Sequence, residues 1–93
     1  MNQFLYREYL MEEKAIVIFH HVKINKSFDI ELPLDIGAND IVLALNQGLE
    51  LGIDTKDISQ RYLKSTNPIA LLKGNKTLAE YGIHQGSEIW YER

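Results

Sequence analysis

Three histidines, His20, His21 and His84, are the side chains best suited to metal ligation or proton transfer in this chain of 93 residues. His20 and His21 are adjacent in KAIVIFHHV (14–22), a run with strand character. Successive strand side chains point to opposite faces, so the pair cannot close on one metal ion. His84 stands in a turn before the last apolar run. A zinc site takes three or four protein ligands of matched geometry, and the chain has no cysteine to supply thiolates. Two histidines therefore read as strand residues and the third as a solvent residue. Serine, histidine and aspartate all occur, but nothing in their spacing suggests a triad. Gly74 and Gly82 are turn glycines, not parts of a phosphate-cradling loop. The expectation is no catalytic residue, no metal, no cofactor and no enzymatic activity. The chemistry that remains is adhesion, carried by Trp90 and the aromatic residues around it.

The elements that position those residues follow from periodicity. Lys14–Val22 is a first strand, rich in Val and Ile. One face carries Ile16, Ile18 and His20, the other Ala15, Val17, Phe19 and His21. Both faces begin apolar, which suits a strand inside a sheet. Ser27–Leu32 alternates cleanly, with Phe28, Ile30 and Leu32 inward and Asp29 and Glu31 outward. The short polar link between the two runs makes an antiparallel hairpin. From Ala38 to Leu51 the period changes to that of a helix. Ile41, Ala44, Leu45, Gly48 and Leu49 share a face, with Val42 beside them. Gly37 or Asn39 caps the start, and Gly52 closes the end in the left-handed region. Gly48 lies inside the helix and is read as a point of close approach to the sheet.

A third strand is expected near Arg61–Lys64, with either Tyr62 or Leu63 facing the core. Thr66-Asn67-Pro68 is a turn and Ile69–Leu72 a short fourth strand. The closing stretch TLAEYGIHQGSEIWYER (77–93) gives a turn of helix, a reversal at Gln85-Gly86-Ser87 and a final strand. In that strand Ile89 and Tyr91 share one face, Glu88 and Trp90 the other. Gly82 and Gly86 provide positive φ.

Composition limits the classes of function. Hydrophobic residues at 45% and charged residues at 25% describe one globular domain rather than a disordered chain. A net charge of −3 opposes the basic surface that nucleic acid requires and a polybasic membrane patch. No apolar run approaches the length of a membrane span. Residues 1–13 form a separate N-terminal extension. Phe4, Leu5 and Tyr9 could share one face of a short amphipathic helix, and the charges among them do not make a secretory signal.

The order strand, strand, helix, strand, strand, strand resembles the β-grasp, or ubiquitin-like, fold: an α+β domain with a mixed sheet packed on one helix, here residues 14–93. The closing stretch carries the likeness: Leu78-Ala-Glu-Tyr81-Gly82-Ile83, then Gly86-Ser87-Glu-Ile89. It is most similar to the YukD-like family, small ubiquitin-like proteins associated with bacterial type VII secretion. The resemblance covers roughly 14–91 and implies a cytoplasmic, non-enzymatic accessory protein acting through protein partners, among them type VII secretion components or a second copy of the chain. Conjugated modifiers and sulfur carriers of this fold use a flexible Gly-Gly tail, whereas this sequence ends Tyr91-Glu92-Arg93, so neither activity is expected. A modifier relative without its tail and a general β-grasp adaptor are the alternatives.

The resemblance also implies that the closing strand lies between the first and third. If Ile16, Ile18, Ile89 and Tyr91 are core, Val17, Phe19 and Trp90 face outward, joined by Tyr62 or Leu63. These five are the expected protein-binding residues, tryptophan and tyrosine being enriched at binding hot spots.

Overall fold

The computed structural model describes residues 13–93. The amphipathic segment expected over 1–13 lies, apart from Glu13, outside the described residues. Strand β1 (Lys14–His21) and strand β2 (Lys26–Pro33) form the expected hairpin. A single turn of 3₁₀ helix over Val22–Ile24 leads into Asn25 at φ 54°, whose N–H donates to the Val22 carbonyl. Asparagine tolerates the left-handed region better than most residues, so the hairpin closes there. Helix α1 (Ala38–Leu49) follows, then β3 (Leu63–Thr66), β4 (Ala70–Leu72) and β5 (Glu88–Tyr91). The sheet order is β2-β1-β5-β3-β4. β5 runs parallel to β1 and antiparallel to β3, so the last strand of the sequence is the middle strand of the sheet.

Pairing between β1 and β2 decides which face of β1 is buried. Phe19 lies opposite Phe28, Val17 opposite Ile30 and Ala15 opposite Leu32. Residues directly opposite share a face, and the alternation of β2 commits its apolar members to the helix side. Ala15, Val17 and Phe19 therefore form the core, with Val17 and Phe19 at 0% exposure. The assignment of Ile16 and Ile18 to the core is corrected: Ile16 is 41% exposed and Ile18 half-buried on the opposite face. Both isoleucines could have filled either side. The hairpin register overrode their hydrophobicity.

α1 packs Ala38, Ile41, Val42 and Leu45 against that sheet face, with Leu49 half-buried. Its first N–H groups are satisfied by the loop before β5: Ala38 donates to the Lys76 carbonyl and Asn39 to that of Gly74, both at 2.8 Å. Gly37 is the N-cap; a Cβ there would sit 3.3 Å from the Asn75 carbonyl oxygen, so the close approach explains its small size. Two expectations fail at the other end. Ala44 and Gly48 are exposed, and a Cβ on Gly48 would meet nothing within 4 Å. The helix ends at Glu50, itself in the left-handed region at φ 53°, two residues before Gly52. Asn46 explains the early stop. Its side-chain oxygen accepts from the Ile53 N–H at 2.8 Å and its amide donates to the Ile53 carbonyl at 3.2 Å, folding the chain back under α1.

β3 starts two residues later than expected because a 3₁₀ turn occupies Ile58–Gln60, capped by the Asp57 carboxylate accepting from the Ser59 N–H at 3.0 Å. The stretch before β5 buries Leu78 and Ile83. Gly82 and Gly86 take φ of 86° and 87° as expected.

Candidate functional site, the outer face of the sheet

β5 places Ile89 and Tyr91 in the core at 0% and 5% exposure, so Trp90 must point to the other side. Its cross-strand neighbours are His20 on β1 and Lys64 on β3, and Lys64 in turn opposes Leu71 on β4. One row thus crosses the whole sheet away from α1: Ser27, His20, Trp90, Lys64, Leu71. The next row holds Asp29, Ile18, Glu88 and Thr66.

Of the five residues expected to bind protein, only Trp90 and Tyr62 are placed where a partner could touch them. Val17, Phe19 and Leu63 are corrected. All three are at most 1% exposed and belong to the core, the first two by the hairpin register and Leu63 because it faces α1 opposite Leu72. Tyr62 is half-buried beside Lys64 and Trp90. Ile16, Ile18, His20, Lys64 and Leu71 were not expected on this face. The signal for the first three was the alternation of β2 read across the hairpin.

Trp90 is held at both ends. Its ring stacks on the imidazole of His20, with centroids 3.8 Å apart and planes 20° from parallel. Its indole N–H donates to the Thr66 hydroxyl at 3.0 Å. His20 Nδ1 lies 2.7 Å from the Ser27 hydroxyl and Nε2 2.8 Å from Glu88 Oε1. A neutral imidazole satisfies both: the serine O–H donates to Nδ1 and the Nε2–H donates to the carboxylate. The indole N–H and both ring nitrogens of His20 thus have partners, which holds the half-buried indole in one orientation. His21, as alternation requires, is on the core side at 6% exposure, edge-on to Tyr91. Its Nδ1 is buried without a partner. His84 is exposed. Among the described residues no three His, Asp or Glu side chains converge as metal ligands would.

Two shallow depressions flank Lys64. One, of about 310 Å³, is walled mainly by Ile69, Ala70, Leu71 and Trp90. Ile69 is 88% and Leu71 46% exposed. The other, of about 230 Å³, is lined by Tyr62, Lys64, Trp90, Glu92 and Arg93. The Arg93 guanidinium lies 4.1 Å from the Tyr62 ring centroid and donates to the carbonyls of Gln60 and Tyr62. Lys64 Nζ is 3.6 Å from a Glu92 carboxylate oxygen. The arrangement offers aromatic and aliphatic surface beside two cations.

The family model described as "WXG100 protein secretion system (Wss), protein YukD" matches residues 19–90. No curated protein matches the sequence. Among solved structures, the C-terminal ubiquitin-like domain of mouse tubulin-specific chaperone e superposes with a TM-score of 0.64 at 10% identity, over 85% of this chain and 84% of that one. A ubiquitin-like domain from Arabidopsis thaliana gives 0.59 at 18% identity, over 87% and 78%. The ubiquitin-like domain of Plasmodium falciparum Dsk2 gives 0.57 at 18% identity, over 84% and 97%. At these identities the likeness is one of fold, and the fold is the ubiquitin-like β-grasp.

Proposed function

Because the chain belongs to the YukD family of the WXG100 protein secretion system, we propose that it is a non-enzymatic, cytoplasmic accessory protein of type VII secretion. It acts by docking other proteins on the outer face of its sheet. The observation that carries the docking role is the Trp90 platform: a tryptophan held outward by a stack and a hydrogen bond, amid exposed aliphatic residues. Tryptophan dominates binding energy where it is rigid and can be desolvated. No helix among the described residues is long and apolar enough to cross a membrane.

The test is genetic. Deleting the gene in its native host should stop or strongly reduce export of the system's small WXG100 substrates, read by immunoblot of the medium. Trp90→Ala at normal protein level should do the same. Undiminished export from the deletion strain would remove the secretion role. Undiminished export from Trp90→Ala alone would move the docking site elsewhere.

A further inference from the structure

We propose that Ser27 is an activated nucleophile that accepts an acyl group from an acyl thioester, with His20 as its base and Glu88 holding that base in place. The inference goes beyond docking and secretion and gives the chain a modification site. No sequence motif announces it. Ser27 lies opposite His20 across the hairpin, and β5 brings in Glu88 from 68 positions away.

The Ser27 hydroxyl lies 2.7 Å from His20 Nδ1, and Glu88 Oε1 lies 2.8 Å from His20 Nε2. An ionised carboxylate only accepts. Nε2 therefore carries the hydrogen, and Nδ1 of the neutral ring accepts from the serine O–H. A serine, a base and an orienting carboxylate in that order are the parts of an activated hydroxyl. The ring cannot swing off this line, because Trp90 stacks on it at 3.8 Å. The other Glu88 oxygen lies 3.5 Å from the Thr66 hydroxyl. The His20 side chain is 17% exposed, which keeps most water from its nitrogens, whereas Ser27 is exposed to an incoming donor.

The backbone supplies a hydrogen-bond donor for the carbonyl oxygen. The Leu34 N–H donates to the Glu13 carbonyl, so bonded pairs of the antiparallel hairpin alternate from there: Ala15 with Leu32, Val17 with Ile30, Phe19 with Phe28. His20 and Ser27 are then a non-bonded pair. Consistently, Ile18 bonds on the other side, its N–H donating to the Ser87 carbonyl at 2.9 Å. The Ser27 N–H thus points off the open edge of β2. The nucleophile's own N–H is a usual partner of the oxyanion in acyl transfer.

The step balances without a further reagent. Ser27 Oγ bonds to the acyl carbon and the carbon–sulfur bond breaks. The hydroxyl proton passes to His20 Nδ1, and Glu88, staying ionised, stabilises the imidazolium. The proton then leaves on the thiolate. A single oxyanion donor restricts the reaction to acyl groups on a weakly basic leaving group, as in a thioester. The serine ester that forms has a far poorer leaving group, so it hydrolyses slowly and the chain stays modified rather than turning over.

The experiment incubates the full-length protein with N-acetyl-S-acetylcysteamine, a small acyl thioester, and separately with p-nitrophenyl acetate. Both run at about pH 8, where an ordinary imidazole is neutral. Tandem mass spectrometry reads the site and rate of acetylation, and the chain has no cysteine to capture the acyl group first. Ser27 should be acetylated ahead of every other serine. His20→Gln keeps a polar side chain without a base and should slow that acetylation about a hundredfold, a usual contribution of a general base. Ser27→Ala should remove the acetyl group while leaving the melting temperature within a few degrees of wild type. Imidazole nitrogen NMR tests the part of Glu88 separately from any rate. Wild-type His20 should show a hydrogen on Nε2 and a bare Nδ1. Glu88→Gln, whose amide can donate to Nε2, should move the hydrogen to Nδ1 and slow acetylation, and Glu88→Asp should restore the wild-type tautomer. Acetyl groups on lysines with Ser27 unmodified overturn the inference. So does acetylation of Ser27 that is equally fast in His20→Gln, or an acetyl group that stops on His20 and reaches no serine. A hydrogen on Nδ1 of wild-type His20 overturns it without any variant.

Discussion

Trp90 and His20 hold each other in place, and their coupling can be measured. The ring stack at 3.8 Å should contribute about 0.5–1.5 kcal/mol beyond the area it covers. A double-mutant cycle of His20→Ala and Trp90→Ala, read by urea denaturation, should therefore show a coupling energy in that range. A coupling near zero would mean that the two rings merely lie side by side. At a second site, Thr77 and Glu80 cap each other: the Glu80 N–H donates to the Thr77 hydroxyl at 3.1 Å, and the Thr77 N–H donates to the Glu80 carboxylate at 3.0 Å. This is the reciprocal capping box. The backbone N–H of Thr77, then its side chain, hold the Glu80 carboxyl below its ordinary value. A carboxyl depressed in the folded state stabilises it fully above the unfolded value, near pH 4.3, and loses that contribution as pH falls through the lower folded value. Wild type should therefore be more stable than Glu80→Gln at pH 7, with the gap closing below about pH 4. A gap of the same size at pH 3 would show that the carboxylate's charge is not what the cap uses.

At the scale of the element, α1 contains a glycine with no structural reason to be one. Gly48 is exposed and a Cβ there meets nothing. Gly48→Ala should stabilise the domain by about 0.5–1 kcal/mol, since alanine is the better helix former by that amount. A loss of stability would restore the close approach to the sheet that the sequence suggested. Existence and type were legible for the five strands and α1 (β2, α1 and β5 by their period and β1 by its run of Val and Ile), whereas the 3₁₀ turns at Val22–Ile24 and Ile58–Gln60 were not read. The facing of β2 and β5 was legible for the same reason: Asp29 and Glu31 cannot be core, and Ile89 with Tyr91 leaves Trp90 outside. The facing of β1 was not. Ile16 and Ile18 compete with Val17 and Phe19, and no property of the strand alone breaks the tie. The decision comes from a neighbour, through the turn that sets Phe19 opposite Phe28. Leu63 was undecided for a related reason, since β3 is four residues long and begins at that leucine. The candidate site was thus half legible. Its centre, Trp90, came from the sequence, and Tyr62 only as one of two alternatives with Leu63. The His20 stack and the depressions beside Lys64 depend on pairings between strands far apart in the chain.

Those distant pairings govern the molecule as a whole. β5 is made last, yet it bonds β1 across some seventy positions and β3 on its other side. Without it the hairpin β1–β2 and the hairpin β3–β4 share no strand, since the sheet order places β5 between them. The core would lose Ile89 and Tyr91, both buried, and Phe19, Val17 and Leu63 would lose the strand between them. Ser87, at 0% exposure, also ties this stretch to the β3–β4 turn by donating its hydroxyl proton to the Asn67 carbonyl at 2.8 Å. A domain of this size has only about 5–15 kcal/mol in hand. Truncating a single large buried side chain already costs about 3–5 kcal/mol. Phe19→Ala should therefore lower stability by about that much, and a chain ended after Gln85 should not fold at all. Its amide spectrum should collapse to unfolded shifts, with no cooperative thermal transition. Adding a peptide of residues 86–93 in trans should restore dispersion only at high concentration, because the strand then arrives without a covalent tether. If the shortened chain instead melts cooperatively, the two hairpins and α1 make a core by themselves. β5 would then be an addition to a finished domain, and the Trp90 platform could be removed without cost to the fold.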